Sequence, residues 1–238
     1  MKLFRSSLLL IGGLAAFSWF LLRNISFLAL LPLIPLGIAA YLLNRFDGKR
    51  FIWISGLSAA ITAIMICMVV SVGIFEGHGF FMLLFLMIAC SLPSMKIASS
   101  EWARIAGWWM TLFLVVFLFM MIATAFGIER RSVSLDCGSL KDIMIFYVLA
   151  LGEPLSMGKK YRAAPLGLGI LLIPFGLLSY LALGQGAFCA SEFPYLSVLS
   201  GVTLASFQHL EGIILCLLYG AGIFRVANFL SRYSIRMR

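Results

Sequence analysis

Gly152-Glu153-Pro154 places a carboxylate between two helix breakers at the end of an apolar run, residues 143–151. Glycine and proline free backbone groups from a helix, and a carboxylate among them can bind a cation or an amine, or accept a proton. The competing reading sets Glu153 at the membrane rim, paired with Lys159 or Lys160. Gly12-Gly13 is a second candidate. Backbone N–H groups at a helix break can hold a ligand carboxylate, as half-helix ends do in transporters; alternatively, glycines let helices pack closely. Glu211, a few residues inside the last apolar segment, is a third. It binds a ligand, pairs with His209, or sits at a helix start favoured by the dipole. Gly12, Gly13, Gly152, Glu153, Pro154 and Glu211 are thus the candidate ligand-binding residues.

Other chemistry finds no support. The five cysteines (Cys67, Cys90, Cys137, Cys189 and Cys216) have no CxxC spacing, and the two histidines lie far apart, so no metal site is expected. Cys137 and Cys189 both fall in segments expected on the outer side, where a disulfide can form. Gly152 to Lys159 has five residues between its glycines where a phosphate loop needs four, and no Ser or Thr follows the lysine. Gly167-Leu168-Gly169 has no preceding strand, which excludes a dinucleotide site. No Ser/His/Asp arrangement is visible, so no enzyme and no cofactor are expected. His78, after Glu76, reads as a solvated turn or as a pH sensor.

The elements that must position these residues are membrane segments. Hydrophobic residues make up 63% of the 238 and the mean hydropathy is +1.08, where a soluble domain is about half apolar. Apolar runs cover residues 8–22, 25–43, 51–75, 80–92, 105–128, 143–151, 163–183 and 207–230. With the N-terminus cytoplasmic and each run crossing once, all of the 18 Lys and Arg except Arg23, Arg130, Arg131 and Lys141 fall inside, as the positive-inside rule requires. Removing the short sixth run would reverse that bias, so it too must cross. Both termini are then cytoplasmic, and the net charge of +9 reflects topology rather than nucleic-acid binding. Residues 1–18 have a signal-peptide pattern but read better as an uncleaved first helix. Trp19, Trp102, Trp108 and Trp109 read as interfacial belt residues. Met87, Met95, Met120 and Met121 read as packing or lipid-facing. Gly212, Cys216 and Gly220 form a small-residue packing stripe, and Glu101 and Arg104 a same-face pair.

The first and sixth runs are the weakest spans and are five apart. That spacing fits two inverted five-helix repeats whose first helices are broken at a binding site. The expected fold is an all-α polytopic membrane protein, residues 1–238 forming one integral membrane domain. It has about eight transmembrane helices in a partial inverted-repeat (5+3) transporter-type bundle, with helices 1 and 6 broken. The first repeat covers about residues 1–128 and the partial second about 140–232.

Leu42-Leu43-Asn44-Arg45-Phe46 with Gly48-Lys49, Ser100-Glu101-Trp102-Ala103-Arg104, Phe193-Pro194-Tyr195-Leu196 and Phe207-Gln208-His209-Leu210-Glu211 carry a family resemblance. They resemble the helix 2–3 junction, the start of helix 5, a Phe-Pro element and the start of helix 8 in endospore germination permeases. These are the B subunits of nutrient germinant receptors, within the amino acid–polyamine–organocation superfamily. The Glu-to-Arg spacing at 101–104 is one residue shorter than usual there, and His209 stands where the family has Arg. The resemblance implies a ten-helix-type bundle, of which eight runs are present. It also implies a small nutrient ligand, an amino acid or amine, and other germination receptor subunits as partners in the spore inner membrane. The expected function is nutrient sensing or transport; the alternative is a non-transporting membrane scaffold or assembly subunit, or a truncated remnant of an amino acid transporter.

Overall fold

In an apolar phase a segment must satisfy its own backbone, so these runs fold as helices. The computed structural model of the protein describes residues 10–43, 52–93, 99–126, 139–158, 161–201 and 210–236, and every regular element among them is helical. A 3-10 turn, Leu10–Gly13, leads into α1 (Leu14–Leu22). A second 3-10 turn, Phe27–Leu30, precedes α2 (Leu33–Leu43). Then come α3 (Ile52–Phe75), α4 (Phe80–Ser91), α5 (Ser99–Phe126), α6 (Leu140–Met157) and α7 (Ala164–Leu183). Two short helices, α8 (Gln185–Ala190) and α9 (Pro194–Gly201), lead to α10 (Leu210–Arg236). The protein is an all-α membrane protein. Trp53–Phe75, Glu101–Ala125, Ala164–Leu183 and Glu211–Ser231 are each long and apolar enough to cross a membrane. Shorter apolar helices cover Leu10–Leu22, Phe27–Leu42 and Phe80–Ser91.

Two antiparallel pairs organise the core. In the first, α1 lies along α6: its beginning meets Glu153, and Trp19 near its end donates its indole N–H to the Asp142 carbonyl at the start of α6 (3.0 Å). The second is α3 with α10, where Gly56 faces Phe229 and Gly73 faces Leu215. The α5 helix packs on α10, and α7 on α2 and on both 3-10 turns. The helices α8 and α9 lie at the end of the bundle where α1 finishes. Tyr195 stacks on Phe20 and gives its hydroxyl proton to the Ile25 carbonyl, and Asn24 donates to the Phe188 carbonyl (3.1 Å). Large apolar side chains left outside, such as Trp53, Phe81, Phe85 and Trp108, form the surface a bilayer would cover.

Several expectations change. The sixth helix is not interrupted at Gly152-Glu153-Pro154; it runs from Leu140 to Met157 and stops where Gly158 adopts φ 98°. Pro154 lacks an N–H, which removes one helical bond and leaves the helix otherwise continuous. Extending past both ends of the predicted run, α6 reaches 18 residues, about 27 Å. The first helix does change character at Gly12-Gly13, from 3-10 to α. Of the expected belt, Trp108 is exposed, but Trp19 is buried beneath Asp142. Trp109 donates to the Leu217 carbonyl (2.7 Å) and presses on Gly220, while Trp102 packs edge-on against Phe224. In the small-residue stripe only Gly220 is packed: Gly212 has open space beside it and Cys216 is exposed. Met87, Met120 and Met121 are core residues. Cys189 is disulfide-bonded and Cys67, Cys90 and Cys216 are free. Cys137 lies outside the described residues, as do Met95, Lys159, Lys160, His209, the start of residues 1–18 and most of the helix 2–3 junction motif.

Candidate functional site

Helix α1 begins in mid-bundle, so its first N–H groups have no partner within the helix. The Ala15 N–H is one of them, and it donates to Glu153 Oε2 at 2.9 Å. The other carboxylate oxygen, Oε1, faces α3 and α10. Thr62 donates its hydroxyl to it at 2.6 Å, and Arg225 Nε lies 3.3 Å away. The glutamate and arginine side chains are 2% and 1% exposed, so this is an ion pair removed from solvent. Arg225 Nη2 also donates to Ser58 Oγ at 3.0 Å. Four helices thus converge on one ion pair: α1 through the Ala15 N–H and α3 through the Thr62 hydroxyl on the carboxylate, α6 through Glu153, and α10 through Arg225, which a second α3 hydroxyl, that of Ser58, also holds.

Thr62 has a single hydroxyl proton and two acceptors, because the Ser58 carbonyl also lies 2.8 Å from its oxygen. That carbonyl is the ordinary i−4 acceptor of a helical threonine. If Glu153 withdrew, Thr62 would keep the Ser58 carbonyl as its acceptor, while the Ala15 N–H would need a new one. Beyond Arg225, Asn228 donates to the Tyr161 hydroxyl (3.3 Å), and the Tyr161 ring lies against Gly12. One turn along α1 from Ala15, Ser18 is fully buried and its hydroxyl has no hydrogen-bond partner.

The six residues expected to bind ligand are only partly brought together. Glu153 is at the centre and Pro154 is buried beside it. Gly152 faces outward, with nothing within 4 Å of where a side chain would begin. Gly12 and Gly13 let Tyr161 and α7 approach closely. A Cβ on Gly13 would stand 2.3 Å from a Leu168 methyl, and one on Gly12 3.1 Å from the Tyr161 Cβ. The backbone donor falls two residues later, at Ala15. Glu211 is half-buried in the first turn of α10, 14 residues or about 21 Å before Arg225 along the helix, and does not join the site.

Arg225, Thr62 and Ser58 are the residues that the sequence reading passed over. Arg225 counted there as a flanking topology charge, although it lies within the run 207–230 and is followed by further apolar residues. An arginine in that position needs a buried counter-charge. Among the described residues no cluster of metal-ligating side chains occurs. Comparison with known protein families, with curated proteins and with solved structures found no match.

Proposed function

We propose that this protein is a transporter-type membrane protein that binds a small amino acid or amine at the Glu153–Arg225 pair. The observation that carries the reading is a buried ion pair at mid-bundle where α1 starts and α6 contains a proline. Charged residues at membrane depth mark substrate or ion sites by default, and helix starts of this kind hold anionic groups. Glu153 occupies the place that a ligand carboxylate would take. A zwitterion brings both charges needed for the exchange: its carboxylate replaces Glu153 on the Ala15 N–H and Arg225, and its amino group meets the released Glu153. The antiparallel pairing of α1 and α6, five predicted segments apart, agrees with an inverted-repeat origin. The four motif stretches support a role as a germination receptor permease subunit, sensing or transporting a nutrient beside other receptor subunits in the spore inner membrane, with both termini cytoplasmic. Ligand acts by binding one bundle state better than another.

A second reading has its own observation. Both Glu153 oxygens are already satisfied, so the pair also suits a static tie in a membrane scaffold. A thermal-shift screen of amino acids, amines, sugars and nucleosides on the purified protein separates the two. A binding protein gains stability with zwitterionic amino acids, and folded Glu153→Gln and Arg225→Met lose that gain. A scaffold shows no ligand-dependent shift in any form, and the variants are only less stable.

A further inference from the structure

The surroundings of the ion pair differ sharply on its two sides. Towards the end where α1 finishes and α6 begins, the pair is followed by rings. Phe17, Phe20, Phe146, Phe113, Phe117 and Phe175 are all at most 2% exposed and touch one another edge-on, tilted or stacked. Tyr195 of α9 closes the stack over Phe20. Outside it, Arg23 lies 4.9 Å over the Trp19 ring and 3.8 Å from Asp142, tying α1 to α6 once more. The α3–α10 interface is also apolar on this side, with Ile66, Cys67, Val69, Val70, Ile214 and Leu218 buried.

Towards the other end the same interface gains polar groups beside the Gly56–Phe229 contact. Thr62 and Ser58 on α3 are one helical turn apart, and Ser55 follows them. Arg225 and Asn228 on α10 are three apart and face the same way, with Tyr161 bonded to Asn228. Ser58 and Asn228 are half-buried, so this series of polar groups reaches surface, whereas the rings do not. Polar side chains within membrane helices face water-filled paths or one another, because lipid cannot satisfy them.

We infer that the Glu153–Arg225 pair is reached by water and small solutes along the α3–α10 seam, from the end where α3 begins and α10 finishes, and is sealed by the aromatic stack from the opposite end. That end is the one whose flanking sequence carries Lys49, Arg50, Lys159, Lys160, Arg162 and Arg232, the cytoplasmic side on the charge tally. In this structure the pair itself is 2% and 1% exposed, so the outward side is closed by rings and the polar seam is the path along which water would enter from the inward side. This rests on the pair being the functional centre, but its test needs no ligand.

The probe is a charged, membrane-impermeant methanethiosulfonate applied to vesicles of either orientation. The full chain carries Cys67→Ala, Cys90→Ala and Cys216→Ala, and one new cysteine at a time. Asn228→Cys and Ser58→Cys should be modified at least tenfold faster from the basic side than from the other. Ile66→Cys and Phe117→Cys should be protected from both sides yet react after denaturation. Asn228→Cys leaves the Glu153–Arg225 contact in place, so it decides the matter if Ser58→Cys does not fold. Protection of Asn228→Cys from both sides, equal rates from both, or faster reaction from the opposite side would overturn the route. Ready modification of Phe117→Cys from the outer side would overturn the seal. Loss of ligand binding in Glu153→Gln, or its absence altogether, would leave this labelling pattern unchanged.

Discussion

At the scale of the residue, the central fact is that Glu153 and Arg225 each make the other tolerable. A lone charge at this depth costs far more than a paired one, so removing Arg225 strips the buried Glu153 carboxylate of its counter-charge, and removing Glu153 takes a close carboxylate from Arg225. Glu153→Gln and Arg225→Met should each destabilise the folded protein by about 3–5 kcal/mol. The double variant should lose clearly less than the sum, which a double-mutant cycle in detergent unfolding reads directly; additive losses would mean that the two side chains do not interact. Glu153 was legible in the sequence because two helix breakers flank it. Its partner was not, because an arginine near a segment end reads as a topology charge until the helix is seen to continue to Arg236.

At the scale of the element, close packing shows which of the small residues the helices need. Gly13 admits Leu168 of α7, and Gly220 admits the Trp109 indole, whose ring atoms would lie 2.3 Å from an added Cβ. A leucine at either position forces the neighbouring helix outward. Gly13→Leu and Gly220→Leu should each cost about 1–3 kcal/mol or more, as overpacking does, while Gly212→Ala, which meets open space, should be close to neutral. Equal effects at Gly212 and Gly220, measured by thermal unfolding in one detergent, would refute this assignment. The small-residue spacing indicated that α10 packs closely somewhere. It did not indicate which of the three positions does so, because only the docking of α5 decides that. The continuity of α6 through Pro154 was hidden for a similar reason: a proline removes one bond, and whether the helix goes on depends on its neighbours.

At the scale of the whole molecule, the bundle is asymmetric along its length, with an aromatic, disulfide-bearing end and a polar end. The disulfide at Cys189 restrains α8, which packs beside Tyr195 and Tyr180 through Phe188. Reduction frees that end of the bundle in the unfolded chain as well as the folded one. Disulfides commonly contribute about 2–4 kcal/mol, so a lowered melting temperature under reductant is expected, and a Cys189→Ser variant should reproduce it without reductant. An unchanged melting temperature in both would show that the α8–α9 cap is held by its aromatic contacts alone.

Hydropathy by itself determined that this chain is a helical membrane protein, where most of its helices lie and that a carboxylate sits inside one of them. Those properties depend on local composition and on the bilayer's intolerance of unpaired backbone, so they survive in a one-dimensional reading. Only the tertiary structure decided that Glu153 binds the Ala15 N–H, Thr62 and Arg225, and that Tyr161 and Leu168 press on the glycines at 12 and 13. Contacts between residues 72 to 138 positions apart are set by how the helices dock. No spacing rule within a single segment encodes them.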